Sequence, residues 1–242
     1  MKTFLKFFLS LSFTIAFFSN YSFAQRREGV VDNLPKFDRR PYHFGFLLGA
    51  NQMNFALKTV PDLSQFDSLK SVTTKGDFGF DIGIVSSLRL TKYFSLRFIP
   101  TLSFGSRSVE FTFRYKDSIN IIQTKKIEST FMTFPLYIKY QSKRLGNFRA
   151  YLVGGANYSI DMASQAKKKN KEGEAPIKLR SNDFMLDAGT GFDFFLPYFK
   201  FGIELRMSYG LRNLLIPENS VYTNSIKYMH SKIFSLSFTF EG

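Results

Sequence analysis

The segment Asp77–Leu90 decides the fold, and it reads Asp-Phe-Gly-Phe-Asp-Ile-Gly-Ile-Val-Ser-Ser-Leu-Arg-Leu. Its Phe, Ile and Leu side chains fall on one set of alternate positions, while its acidic residues, its glycines and its arginine fall on the other. Because successive side chains of a strand point to opposite faces, this segment predicts a strand with one apolar and one charged face. A transmembrane β-barrel has such a wall, since lipid surrounds it and polar side chains fill it.

The same alternation recurs along the chain and predicts further strands. The connections between the strands are alternately long and short, which places both ends of the barrel on the short-turn side. We therefore predict an all-β fold, an eight-stranded antiparallel transmembrane β-barrel with short periplasmic turns and longer external loops. The predicted strands begin near 42, 77, 93, 127, 148, 183, 199 and 228.

Two local features of this pattern carry expectations of their own. Residues 56–76 are polar and predict a long loop before the second strand. In the third strand the apolar positions shift in phase after Phe104, because Val109 and Phe111 continue the apolar set. A β-bulge near Gly105–Ser106 would explain this shift.

The soluble alternative is a lipocalin-like barrel, which also has eight strands. Such a barrel would carry aromatic side chains inside and charges outside. Here aromatic residues form 18% of the chain and 31 of them are Phe, whereas the charged face of the strands is rich in glycine. A glycine-rich face suits a crowded interior better than a solvent-facing wall, so the pattern favours the membrane barrel.

The chain divides into three parts. Residues 1–24 resemble a secretory signal, with Lys2 and Lys6 before an apolar stretch and a small-residue cleavage pattern ending at Ala24/Gln25. A transmembrane anchor is the alternative, but the apolar stretch is short and a polar segment follows it. Residues 25–41 are polar and basic and predict a periplasmic leader, and 42–242 form the barrel. We expect the cell outer membrane as location, after Sec export.

The inward positions of the predicted strands collect acids and bases. An eight-stranded barrel is only wide enough for side chains to fill, so these charges should pair and close the lumen. A narrow conducting pore is the alternative. The candidate lumen salt-bridge network contains Asp77, Asp81, Arg89, Arg97, Asp187, Asp193, Glu204 and Arg206.

The leader contains a small apolar cluster among its charges. We expect Leu34, Phe37, Arg39 and Arg40 to dock a periplasmic partner, with Phe37 as the anchor and the arginines as a polar rim. The alternative is that Phe37 packs against the lower rim of the barrel itself.

The sequence carries no hydrolase, P-loop or zinc motif, so we predict no enzymatic activity, no cofactor and no metal site. The two histidines, His43 and His230, begin strands at opposite ends of the barrel. The sequence leaves open the possibility of a catalytic carboxylate pair inside the barrel.

The cluster Lys167–Lys171 either binds lipopolysaccharide phosphates or forms a solvated loop. The net charge of +14 would suit nucleic acid, but the export signal argues against it, and no small-molecule substrate is evident.

Several motifs resemble a known family. Residues 33–51, at the junction of leader and first strand, resemble the PorT family, outer-membrane proteins of the type IX secretion system in Bacteroidetes. Residues 134–140, 151–155, 187–191 and 238–241 look like the wider PorT-like barrel family. The resemblance implies a non-enzymatic component or assembly factor in secretion of surface proteases and adhesins, including gliding motility, with translocon subunits as partners. From the predicted membrane barrel we also expect contact with outer-membrane lipid and lipopolysaccharide. A general outer-membrane barrel, acting as a narrow pore or an envelope tether, is the alternative.

Overall fold

The computed structural model describes residues 32–63, 65–66, 68–115, 119–163, 177–218 and 220–242. The predicted signal segment, residues 25–31 of the leader and the Lys167–Lys171 cluster lie outside the described residues. All pairings between strands are antiparallel. The strands are β1 Tyr42–Thr59, β2 Leu69–Arg89, β3 Phe94–Phe98, β4 Thr101–Tyr115, β5 Ile119–Gln141, β6 Phe148–Asp161, β7 Asn182–Phe195, β8 Lys200–Gly210 and β9 Ile226–Glu241.

Two short helical segments complete the described secondary structure. A 3-10 turn, Phe37–Arg39, precedes β1, and a helix of one turn, α1, spans Val221–Asn224 before β9. The Ser220 side chain caps α1 by accepting a hydrogen bond from the Thr223 backbone N–H. Within the described part of the chain, no helix is long and apolar enough to cross a membrane.

The sheet closes on itself, because β1 pairs with β2 along one edge and with β9 along the other. β3 and β4 pair with the same neighbours, β2 and β5, and the register with both neighbours is the same on the two sides of the break between β3 and β4. They form one wall strand that is broken only at Ile99–Pro100, where proline has no backbone N–H to donate. The Pro100 carbonyl still accepts from the Ile84 backbone N–H at 3.0 Å. The ring therefore has eight strands, which confirms the predicted fold class.

The outer face of the wall is apolar, as the alternation predicts. Large side chains such as Phe78, Ile84 and Leu136 are exposed, and the aromatic rings stack in pairs across neighbouring strands. Phe46 stacks on Phe240 with ring centroids 4.7 Å apart. Burial against lipid rather than water explains why so many large apolar groups point outward.

The external end of the barrel differs from two of the sequence-based expectations. The predicted loop over 56–76 is wrong, since β1 runs to Thr59 and β2 begins at Leu69. The predicted bulge in the third strand is also wrong, because β4 pairs with β5 without a shift and Val109 and Phe111 stay inward. The register irregularity lies on the neighbouring strand β2, between Gly76 and Phe80.

The reason for both errors is an inversion of polarity. Where the strands pass beyond the membrane, water surrounds them, so their interior is apolar and their outer face is polar. Inward side chains of this extension and apolar side chains of the connections before β7 and after β8 form one buried cluster, the external core, which fills the barrel above its polar lumen. It contains Phe55, Leu69, Val109, Phe111, Ile177, Leu179, Leu214, Leu215, Ile226 and Met229.

Candidate functional site

Arg97 lies at the centre of the lower lumen and is fully buried. Its Nη1 contacts Glu204 Oε2 at 2.9 Å, and its Nη2 contacts Glu241 Oε1 at 3.1 Å. Arg206 Nη1 contacts the second oxygen of Glu204 at 3.0 Å. Because a charge without a partner is very costly to bury, each guanidinium needs a carboxylate here. The arrangement joins β3, β8 and β9 across the lumen.

A second set of ion pairs lies beside the first. Lys139 Nζ contacts Asp193 Oδ2 at 2.8 Å. Lys200 Nζ contacts Glu241 Oε2 at 2.7 Å and lies 3.9 Å from Asp193 Oδ2. Since Glu241 binds both Arg97 and Lys200, the two sets form one continuous lumen network.

Neutral side chains fill the space between these charges. The Tyr151 hydroxyl donates to Glu204 Oε2 at 3.0 Å. Gly191 makes room for this ring, since a Cβ at that position would lie 2.5 Å from Tyr151 Cζ. The Tyr137 hydroxyl donates to Asp187, and the Arg206 guanidinium lies over the Tyr137 ring at 5.1 Å.

The structure brings together only part of the predicted network. Arg97, Asp193, Glu204 and Arg206 belong to the lumen network. Asp81 and Asp187 are buried, but they accept hydrogen bonds from neutral side chains, Asp81 from Asn51 Nδ2 at 2.6 Å and Asp187 from the Tyr137 hydroxyl. The remaining two lie elsewhere: Asp77 accepts from Ser106 Oγ at 2.8 Å beside the β2 irregularity, and Arg89 lies at the periplasmic mouth.

Sequence reasoning missed several members of the lumen. Lys139 and Glu241 lie within the predicted strands and on their inward phase, so the alternation was sufficient to find them. Arg107 was missed because the assumed phase shift placed it next to a bulge. It is buried in the upper lumen, where its Nη1 donates to Ser231 Oγ at 2.8 Å and its Nη2 lies 3.8 Å from Asp161 Oδ2.

The end of the leader closes the periplasmic mouth. The Phe37 ring is 8% exposed and stacks on His43 with centroids 3.7 Å apart and planes at 8°. Phe195 meets the same ring edge-on at 5.8 Å, and Lys200 Nζ lies 4.9 Å from its centroid. Phe37 thus packs against the barrel's own rim, as the alternative interpretation expected, and in this arrangement it is not free to anchor a partner.

Asp38 fastens this turn to the barrel. Its carboxylate contacts Arg149 Nη2 at 2.6 Å and Arg89 Nη1 at 2.9 Å. Partial burial raises the pKa of Asp38, but the hydrogen bond and charge of Arg149, with the charge of Arg89, outweigh it and hold the pKa below its ordinary value. The ionised Asp38 carboxylate therefore links the leader to two strands, β6 through Arg149 and β2 through Arg89.

The other predicted leader residues lie outside the mouth. Arg39 and Arg40 are exposed, and Leu34 is half-buried with a left-handed backbone, φ 49°. Asn33 adds a second attachment, since its backbone N–H donates to Asn147 Oδ1 at 2.9 Å and its Nδ2 donates to the Phe195 carbonyl at 2.9 Å.

A family comparison agrees with this architecture. A sequence model of the outer membrane protein beta-barrel domain matches residues 23–215. The chain belongs to this family. No curated protein matches the chain. As a member of this family, the chain is an outer-membrane β-barrel protein.

Several solved structures are similar to this outer-membrane barrel, and the outer membrane protein OprG is among them. Neisserial surface protein A is 12% identical, covers 81% of this chain and 96% of its own, and has a TM-score of 0.40. OprG from Pseudomonas aeruginosa is 10% identical, with 82% and 95% covered and a TM-score of 0.45. Ail of Yersinia pestis is 12% identical, with 84% and 100% covered and a TM-score of 0.38. Because the sequence identities and TM-scores are this low, these similarities carry no argument about function.

The lumen of this outer-membrane barrel is arranged for occlusion. Between Phe37 and the lumen network lies a cavity of about 10 Å³, lined by polar groups that include His43, Ser95 and Gln141. A volume of this size holds about one water molecule. Among the described residues, no group of His, Cys, Asp or Glu side chains is arranged to hold a metal ion. The interior of the barrel is therefore filled by side chains, and it is closed at one end by the leader and at the other by the external core.

Proposed function

We propose that this protein is a non-enzymatic outer-membrane component or assembly factor of the type IX secretion system. The observation that carries the proposal is the occluded lumen, because a barrel filled by ion pairs and closed by its own leader suits a structural part better than a pore. The resemblance of residues 33–51 to the PorT family supplies the choice of secretion system. The part of that segment that belongs to the leader is held in a fixed position on the barrel, so it can present a defined surface to a partner.

The partner surface should be the exposed side of the leader. Phe37 and Asp38 hold the turn in the mouth, and this leaves Lys36, Arg39 and Arg40 exposed toward the periplasm. A turn that is fixed before binding loses little conformational entropy when a partner arrives. We infer that these three cations meet an acidic surface on a periplasmic or translocon partner.

The first experiment is deletion of the gene, followed by a comparison of the proteins in the culture medium. Loss of type IX cargo supports the proposal. Unchanged secretion with an altered envelope would contradict it and favour a general envelope-tethering barrel.

The second experiment separates the leader surface from the barrel. The triple variant Lys36→Ser, Arg39→Ser, Arg40→Ser keeps Phe37 and Asp38 in place, so the barrel should fold at wild-type level while cargo secretion falls. The matched control is Lys92→Ser with Lys143→Ser, which removes exposed cations from two periplasmic turns. Normal secretion by the triple variant, or equal loss in the control, would contradict a leader-specific partner.

A further inference from the structure

A shallow apolar groove crosses the lipid-facing wall on strands β7, β8, β9 and β1. Its volume is about 630 Å³. The floor is lined by the small side chains of Ala50, Ala188 and Thr190, while Leu205 and Phe234 are among the larger side chains that line it. Phe78, which is 82% exposed, also lines the groove from β2. A depression across four strands is about 15 Å wide, which is long enough to seat part of an extended acyl chain.

A cationic and aromatic cluster borders this groove on the external side. Lys232 is the first charged outward residue beyond the apolar band of β9, and its Nζ lies 5.2 Å from the ring of Phe234, which lines the groove. Tyr209 is opposite Lys232 on β8, and its ring stacks on His230 at 5.8 Å. Lys58, on β1, lies over the Tyr228 ring at 5.8 Å.

The cluster has the position and the charge of a headgroup site. Tyrosine and lysine at the end of the apolar band mark the membrane–water interface, where lipid headgroups lie. The outward residues of β1, β8 and β9, from Tyr42 to Lys58, Phe201 to Tyr209 and Tyr228 to Phe240, include no Asp or Glu. An anion therefore meets no opposing carboxylate along these faces, and the site faces the external leaflet because the short turns lie at the other end.

We propose that this face binds a phosphorylated, acylated glycolipid of the outer leaflet, with an acyl chain in the groove and a phosphate on Lys232 and Lys58. The two halves of the ligand match two independent features. One is the apolar groove, and the other is the two lysines on its external side, of which Lys232 contacts Phe234 of the groove. The proposal does not depend on a role in secretion, so either can fail without the other.

Retention of diphosphoryl lipid A by the purified, detergent-solubilised barrel tests the site, with native mass spectrometry as the measurement. Wild type should hold diphosphoryl lipid A more tightly than its dephosphorylated form. Each of Lys58→Gln and Lys232→Gln should weaken binding about fivefold, since one lysine near a lipid surface contributes about that factor. Lys126→Gln, an exposed cation on β5, is the matched control and should have no effect.

The groove is tested separately by filling it. Ala188→Phe should weaken retention of both lipid forms, whereas Ala156→Phe, on an exposed wall position of β6 outside the groove, should not. All variants are compared after the folded form has been verified by its gel mobility before and after boiling. Unchanged affinity in Lys58→Gln and Lys232→Gln, equal loss in Lys126→Gln or Ala156→Phe, or no preference for phosphate would overturn the proposal.

Discussion

At the scale of single residues, Arg97 is the side chain on which the lower lumen depends most. It is fully buried and neutralises parts of two carboxylates that come from different strands. Removal of one partner from a buried ion pair leaves an uncompensated charge, and this costs far more than the net contribution of the intact pair.

Arg97→Ala should lower the free energy of unfolding by about 3–5 kcal/mol, because Glu204 and Glu241 lose their shared cation. Urea titration of the barrel in lipid vesicles, followed by the fraction that keeps its folded gel mobility, measures the change. Arg40→Ala is the control, since Arg40 is exposed on the leader and should change stability little. Equal stability of the two variants would contradict a buried lumen network.

Asp38 gives the mouth a dependence on pH. Its pKa in the docked leader lies below the ordinary value of 3.8, so its ionised form stabilises docking above that pH. As the pH falls through the lower pKa of the docked state, the carboxylate is protonated and this stabilisation is lost. The leader should therefore stay docked at neutral pH and loosen only in strong acid.

A single fluorophore reports this release, because the chain contains no cysteine and Lys36→Cys would carry the only label. Asp38→Asn should increase the mobility of the label at pH 7, as measured by fluorescence anisotropy, and should remove the acid-dependent change. Asp32→Asn, at an exposed position, is the control and should leave both unchanged. An identical pH response in Asp38→Asn would mean that another group controls the leader.

At the scale of elements, alternation alone was enough to predict the wall strands and their lipid-facing side, because lipid imposes one polarity over the whole membrane band. The same rule failed above the membrane. Val109 and Phe111 are apolar and point inward. The rule that apolar side chains point outward to lipid therefore interprets them as a change of phase. The alternation also could not predict which charges pair. Arg97 and Glu241 are separated by 144 positions and meet only when the sheet closes.

Phe111→Ala should loosen the external extension while leaving the membrane barrel intact. Phe111 is completely buried in the external core, and truncation of a buried Phe costs about 3–5 kcal/mol. Hydrogen exchange in the strand ends around 107–115 and 121–129 should rise, with heat-modifiable mobility retained. Thr112→Ala, on the outer face of the same strand, is the control. Equal exchange in both variants would contradict the inward phase of β4.

In the molecule as a whole, the barrel is filled or covered at three levels along its axis. Phe37 and Asp38 close the mouth, the lumen network fills the lower part, and the external core fills the upper part. An eight-stranded wall leaves space for little else, so the closure follows from barrel size as well as from the particular side chains. We therefore expect such a molecule to act as a structural part and not to conduct ions.

Single-channel recording in planar bilayers tests this closure most directly. Purified wild-type protein, inserted and verified as folded by its gel mobility, should show no steady conductance over hours of recording. The variant without residues 33–40 should also stay closed, because the lumen network lies beyond the leader. Steady, porin-like currents from the wild-type barrel would contradict an occluded lumen and favour a pore.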